Sequence, residues 1–235
     1  MGEPLHDLAR DPVRDPVGGP ERDPERDPER DPVCGRVGRA LVGLLAAALL
    51  AGCGGAPEEG DLAGAVLTEP YVVPETSLVD TDGEAFSLAN DTDARLTLVF
   101  FGYTNCPDIC QVVMSSLASA MTRLADSDRD EVEVVFVTTD PARDDAQAIR
   151  SYLDRFDASF VGLTGDLDTI TEIGGDLGIA VEKGDRLPSG GYEVTHSTPV
   201  IGIDVDDRVP ILWTEGTSAA ELAADAHTLL TGEVA

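Results

Sequence analysis

Lysine is almost missing from this chain: Lys183 is the single one, and every other cation is an arginine. The basic residues total 16 against 45 Asp and Glu, for a formal net charge of −29. A chain without a basic face has nothing with which to neutralise phosphates, which excludes nucleic acid as a partner. The acidity reads first as a solvated surface and second as a field that draws cations, whether metal ions or a basic partner. Long apolar runs are also missing. Ala40–Ala51 is an apolar stretch too short to span a bilayer and of the right length for the core of a signal peptide. Cysteine is sparse: Cys34, Cys53, Cys106 and Cys110. The first two flank the apolar stretch and the other two stand alone in the globular part, so the four do not make a disulfide framework. What the chain does have is length and core material. Its 235 residues, 42% of them hydrophobic, suffice for one ordinary domain and additional segments.

Those segments come first. Residues 1–34 are of low complexity, with Arg-Asp-Pro-Glu recurring between Arg10 and Pro32. Proline at that density blocks helix, and little apolar surface is available to bury, so disorder is expected. A start codon upstream of the true one would also explain the segment; Val33 or Val37 could be the real first residue. Residues 35–52 read as a signal peptide, with Arg36 and Arg39 before the apolar stretch and Leu50-Ala-Gly-Cys53 after it. That ending resembles a bacterial lipobox, which implies cleavage before Cys53 and lipidation of Cys53. The mature chain would then be exported, lipid-anchored and outside the cytoplasm. Residues 53–65 read as a flexible acidic tether and 66–235 as the folded domain.

In the domain, strand and helix patterns alternate. Ser77–Asp80 and Glu84–Leu88 flank Asp82-Gly83, a hairpin signal. Leu96–Phe101 and Val132–Val137 are near-continuous apolar runs, as strands covered on both faces show. Helical stripes cover Asp108–Leu124, Asp144–Phe156 and Leu167–Leu177, and Phe160–Leu163 is a short strand. Strands are expected at Tyr192–Thr195, Val200–Ile203 and Pro210–Trp213. A helix over Ser218–Leu230 closes the chain, with Thr217 or Ser218 as cap and Glu221 in a capping box. This order predicts an α/β domain of thioredoxin-like fold: a central mixed sheet flanked by helices, preceded by a β-hairpin.

The chemistry concentrates in Phe101-Gly-Tyr-Thr-Asn-Cys106-Pro-Asp-Ile-Cys110. A buried strand ends, a turn follows and a helix begins. Backbone N–H groups and the helix dipole at such a place stabilise a thiolate, and Pro107 suits a first helical turn. Cys110, four residues beyond Cys106, faces the same way. Two soft donors in a partly exposed loop suit Cu(I), zinc or disulfide exchange. Three intervening residues favour a metal over the two of a purely redox dithiol. Of the three histidines, His6 precedes the domain and His227 sits on the last helix beside Asp225, a surface position. His196 ends a strand three residues before Pro199, in a loop expected to face the Cys turn, and could reach both sulfurs. A cis Thr198–Pro199 bond is expected at that strand edge.

Gly102–Cys110, Thr139-Asp140-Pro-Ala-Arg-Asp144, Gly162-Leu-Thr-Gly165 and the late His196 together resemble the Sco/SenC family, over about Val66 to Leu230. The resemblance implies a thioredoxin-like copper chaperone for the binuclear copper site of cytochrome c oxidase. It implies Cys106, Cys110 and His196 as ligands of one copper, Cu(I) or Cu(II), and an oxidase subunit as partner. Asp140 matches an acidic residue beside the family's site; read by itself, it is as well explained by a turn before a helix. The chain departs from the family pattern at Thr195, where Asp is common, at Pro199 and at Gln111. Rival readings are a thiol–disulfide reductase that keeps an oxidase subunit's cysteines reduced, with Cys106 attacking and Cys110 resolving, a peroxidase, for which the Cys turn lacks an arginine, and a plain structural lipoprotein.

Overall fold

The computed structural model describes residues 62–186, 192–196 and 198–232. The low-complexity segment, the signal sequence, Cys34 and Cys53 lie outside these residues. Among the described residues ten strands and five helices follow in order: β1 (Ala65–Val72), β2 (Ser77–Asp80), β3 (Ala85–Ser87), β4 (Leu96–Gly102), α1 (Ile109–Arg123), α2 (Asp126–Arg129), β5 (Val132–Thr138), α3 (Ala146–Leu153), β6 (Val161–Thr164), α4 (Leu167–Asp176), β7 (Val181–Arg186), β8 (Tyr192–His196), β9 (Val200–Asp204), β10 (Arg208–Trp213) and α5 (Ala219–Thr231).

Eight strands form one mixed sheet in the order β1-β10-β9-β4-β5-β6-β2-β3. β4, β5 and β6 are parallel, with the connections through α1 and α3 covering one face. Alternation along β4 divides the core. Leu98 and Phe100 join Met114, Leu117, Leu153 and Leu222 under α1, α3 and α5. Val99 and Phe101 join Ile170, Ile173 and Leu78 on the opposite face. This is the thioredoxin-like architecture expected. The Asp82-Gly83 hairpin forms as predicted, Gly83 taking φ +87°, but its two strands extend the main sheet beside β6.

Four features differ from expectation. β1, for which no element was expected, continues the sheet beyond β10 and starts at Ala65, the last residue of the expected tether. Ala63 and Gly64 N–H donate to the buried Asp225 carboxylate at 3.1 and 2.9 Å, and Trp213 Nε1 donates to it at 2.7 Å. The last residues of the supposed tether therefore belong to the domain. β1 contains Pro70, tolerated because its register with β10 shifts between Val66 and Tyr71 on an edge strand. β7, Val-Glu-Lys-Gly-Asp-Arg, carries no strand pattern; it forms by pairing with β8 in a separate two-stranded sheet. α3 starts two residues later than predicted, capped by Asp145, whose side chain accepts from Ala148 N–H at 2.8 Å. Asp144 is turned inward instead. The Thr198–Pro199 bond is trans, not cis, which takes from the reductase reading the Pro loop it leaned on. The last helix is as predicted, with Ser218 and Glu221 closing a capping box.

Candidate metal centre

The Cys turn lies at the C-terminal end of β4, a middle strand of the sheet, where loops converge over an α/β sheet. Cys106 N–H donates to Tyr103 O at 3.2 Å, closing the turn. α1 begins at Ile109, so Cys106 precedes the helix and Cys110 sits in its first turn. The sulfurs approach because the chain folds back: Cys110 N–H donates to Cys106 Sγ at 3.5 Å. Neither cysteine is in a disulfide.

Exposure is where the sequence reading fails. A partly exposed pair was expected, but Cys106 is 6% and Cys110 0% exposed. Gly102 is the reason on the inner side: a Cβ there would stand 3.2 Å from Cys110 Sγ and 3.0 Å from Phe136 Cε2, so sulfur and ring pack directly on the strand backbone. Cys110 is set against ionisation. Burial pushes its thiol well above the ordinary range, and the hydrogen bond with Cys106 adds to this; backbone hydrogen bonds at Tyr103 and Cys110 only partly oppose it. Tyr103, half-buried over the pair, is hydrogen-bonded to the Cys106 side chain. Its hydroxyl is pushed up to about 12, by burial first and by the cysteine charges next.

Two acidic side chains frame the turn. Asp144 is fully buried. Its carboxylate accepts from Thr104 N–H at 2.8 Å, Thr104 Oγ1 at 2.6 Å and Thr138 Oγ1 at 2.7 Å, locking the Cys turn to the end of β5. Thr139 reinforces the lock: its N–H and Oγ1 both donate to Gly102 O, at 2.6 and 3.1 Å. Asp140 is likewise buried. Its carboxylate accepts from Arg143 Nε, and the Arg143 guanidinium stands 5.9 Å from the Tyr103 ring centroid. Asp140 O also accepts from the N–H groups of Arg143 and Asp144 at 3.0 Å, so the same residue shapes the turn before α3. Sequence reasoning missed Asp144 as a site residue, having spent it on the helix start.

His196 is the last residue of β8, in register with Val181. Val181 packs beside Gly174 together with Phe101, the penultimate residue of β4. On its other side, β9 opens at Val200, paired with Phe100. Both neighbours bring the end of β8 to the end of β4 from which the Cys turn departs. His227 is on the surface as expected, with its side chain 54% exposed and its Nδ1 2.6 Å from Asp128. Among the described residues no group of three Cys, His, Asp or Glu side chains forms a ligand set, and no helix is long and apolar enough to cross a membrane. Two reduced thiols this close can take a soft metal ion or close to a disulfide.

The sequence and fold are similar to those of known proteins. The SCO1/SenC family model matches residues 66–231. The chain is 35% identical over 109 residues to Protein sco1 of Schizosaccharomyces pombe, covering 46% of this chain and 41% of that protein. It spans 39 to 64% of the length of three curated relatives of this kind. The solution structure of apo Sco1 from Thermus thermophilus superposes with a TM-score of 0.66 at 26% identity, covering 74% of this chain and 99% of that one. Bradyrhizobium japonicum ScoI with copper bound gives a TM-score of 0.59 at 27% identity, covering 68% and 98%. The matched region takes in the whole Cys turn, its acidic frame and the end of β8, and the chain belongs to the SCO1/SenC family.

Proposed function

We propose that this chain is an exported, lipid-anchored copper chaperone that delivers copper to the binuclear copper site of cytochrome c oxidase. One observation carries the reading: two reduced, buried thiols, Cys106 and Cys110, lie together at the end of a central strand, with the Cys110 N–H on Cys106 Sγ. Two sulfurs are a soft donor set, which suits Cu(I). Each thiol releases its proton to water as its sulfur takes up the metal. His196, at the end of the neighbouring β8, is the third donor, and its imidazole extends the site to Cu(II). A three-coordinate site leaves a position at which a recipient's ligands can attack and remove the ion. Copper-bound B. japonicum ScoI, which shares the fold and 27% identity, supports copper as cargo. The oxidase as recipient is what family membership implies. The lipobox at Cys53 supports anchoring outside the cytoplasm.

The test is transfer. Copper-loaded chain is mixed with the metal-free soluble oxidase domain that carries the binuclear site, and the copper absorption of the recipient is followed. Copper is expected to move and the recipient's spectrum to develop. If the recipient gains no copper and only its disulfide becomes reduced, the thiol–disulfide reductase reading replaces this one.

A further inference from the structure

The chain enters the folded domain at the same end of the sheet as the Cys turn. Ala65, the first residue of β1, is in register with Leu212 of β10, Leu212 with Ile201 of β9, and Ile201 with Val99 of β4. One step further toward the end of β4, Trp213 pairs with Val200 and Val200 with Phe100. Gly64 belongs to that row, since a Cβ on it would stand 2.6 Å from the Trp213 indole Nε1. Three strand spacings, about 14 Å, separate β1 from β4. The Cys turn leaves β4 after Gly102, two residues beyond Phe100.

The point of entry is fixed. Ala63 and Gly64 N–H are tied to the buried Asp225 carboxylate, which also holds the Trp213 indole. Leu62 packs against the core cluster that contains Trp213, Cys106 and Cys110. The last helix ends at the opposite side. α5 starts beyond Trp213 and runs away from the Cys turn until His227 Nδ1 meets Asp128 at 2.6 Å. Asp128 precedes Val132, which pairs with Leu96, the first residue of β4.

Cys53 precedes Leu62 by nine residues, so a lipid on it lies at most about 30 Å from the point of entry. An acidic domain gains nothing by lying on anionic headgroups, and the attachment point decides which end is drawn to the bilayer. We infer that the metal centre occupies the membrane-facing end of the domain, and that its recipient is a protein held in the same membrane with its copper site close to the bilayer surface. This rests on the lipid-anchored copper reading above. A short anchor at the metal end keeps both sites in one thin layer, where a membrane-held recipient meets the sulfurs at a high effective concentration. The Asp225 carboxylate gains a role in this: by holding Ala63 and Gly64 it keeps the anchor short.

Trp213, the one tryptophan, reports the placement. Its energy transfer to dansyl-labelled headgroups is measured on phosphatidylcholine vesicles for two chains. One is the mature chain with its lipid on Cys53. In the other, residues 53–61 are moved behind Ala235 with the cysteine last and coupled to the same lipid, so the folded domain is unaltered. The move sets the length of β4, about 23 Å, between Trp213 and the anchored end, and transfer in the native arrangement should be at least about twice that in the rearranged one. Equal or lower transfer overturns the inference. Both chains are then loaded with copper and mixed with the recipient domain, either anchored in the same vesicles or free in solution. The native arrangement should deliver about tenfold faster to the anchored recipient, and the two chains equally fast to the free one; equal rates to the anchored recipient overturn the choice of partner. A chain from cells without lipid on Cys53 removes the anchor and this inference with it. If neither chain carries copper, the copper reading falls, while energy transfer, which needs no metal, still decides which end faces the membrane.

Discussion

Replacing Asp144 by alanine removes the polar frame under the Cys turn without touching either sulfur. The carboxylate is fully buried and receives three donors within 2.6 to 2.8 Å, two of them from Thr104. In Asp144→Ala the Thr104 N–H and two threonine hydroxyls lose their acceptor in a site from which water is excluded. An unpaired buried donor costs about 1 to 3 kcal/mol, and the hydroxyls can rotate to recover part of it, so a loss of about 3 to 4 kcal/mol is expected. With a urea dependence of about 2 kcal/mol per molar, the midpoint falls by about 1.5 to 2 M. Asp144→Asn keeps the shape and one acceptor but turns an amide against a donor, and about half that loss is expected. The assay is urea unfolding of the reduced chain, followed by the fluorescence of Trp213, the one tryptophan. A midpoint for Asp144→Ala within about 0.5 M of the unaltered chain refutes the claim that this carboxylate holds the Cys turn to β5.

Other positions give independent tests. Asp225→Ala unties Ala63, Gly64 and the Trp213 indole at once; a loss of about 2 to 4 kcal/mol is expected, with new proteolytic cleavage just before Ala65, and an equally resistant segment contradicts the anchoring role. Glu133 is held above the ordinary carboxyl range by burial and then by Asp93, and its Oε2 has no partner. The folded chain therefore holds this proton more tightly than the unfolded one, and stability falls as pH rises from the ordinary Glu range toward the raised folded value. Glu133→Gln should be the more stable form at pH 7, with the difference closing toward pH 4; a variant less stable at pH 7 refutes the sign. Cys53→Ala should abolish lipid labelling and leave an uncleaved precursor, and unchanged labelling refutes the lipobox.

The sequence carried the parallel core well because β4 and β5 are buried on both faces and so read as unbroken apolar runs. It carried the last helix because Ser218 and Glu221 write a cap in local chemistry. It did not carry β1 or β7, whose strand character comes from partners far along the chain and not from their own pattern: β1 contains Pro70 and β7 is mostly polar. The Cys pair was legible from spacing, its burial was not. Exposure depends on what the fold lays over a turn, and here Phe136 of β5 and Cys110 of α1 both pack on Gly102 of β4. Asp144 looked like a helix start because an Asp-Asp pair offers two equal caps. Only the tertiary structure decides that Asp145 caps the helix and Asp144 holds the turn.

Copper titration of the reduced chain and its His196→Ala variant tests the three-donor centre most directly. The account predicts one copper per chain, lost in Cys106→Ser, in Cys110→Ser and in the oxidised protein, because one thiolate or a disulfide cannot hold a soft ion. It predicts that His196→Ala keeps weak Cu(I) binding through the two sulfurs and holds Cu(II) poorly. A His196→Ala variant that holds Cu(II) as tightly as the unaltered chain contradicts the model and moves the thiol–disulfide reductase reading ahead.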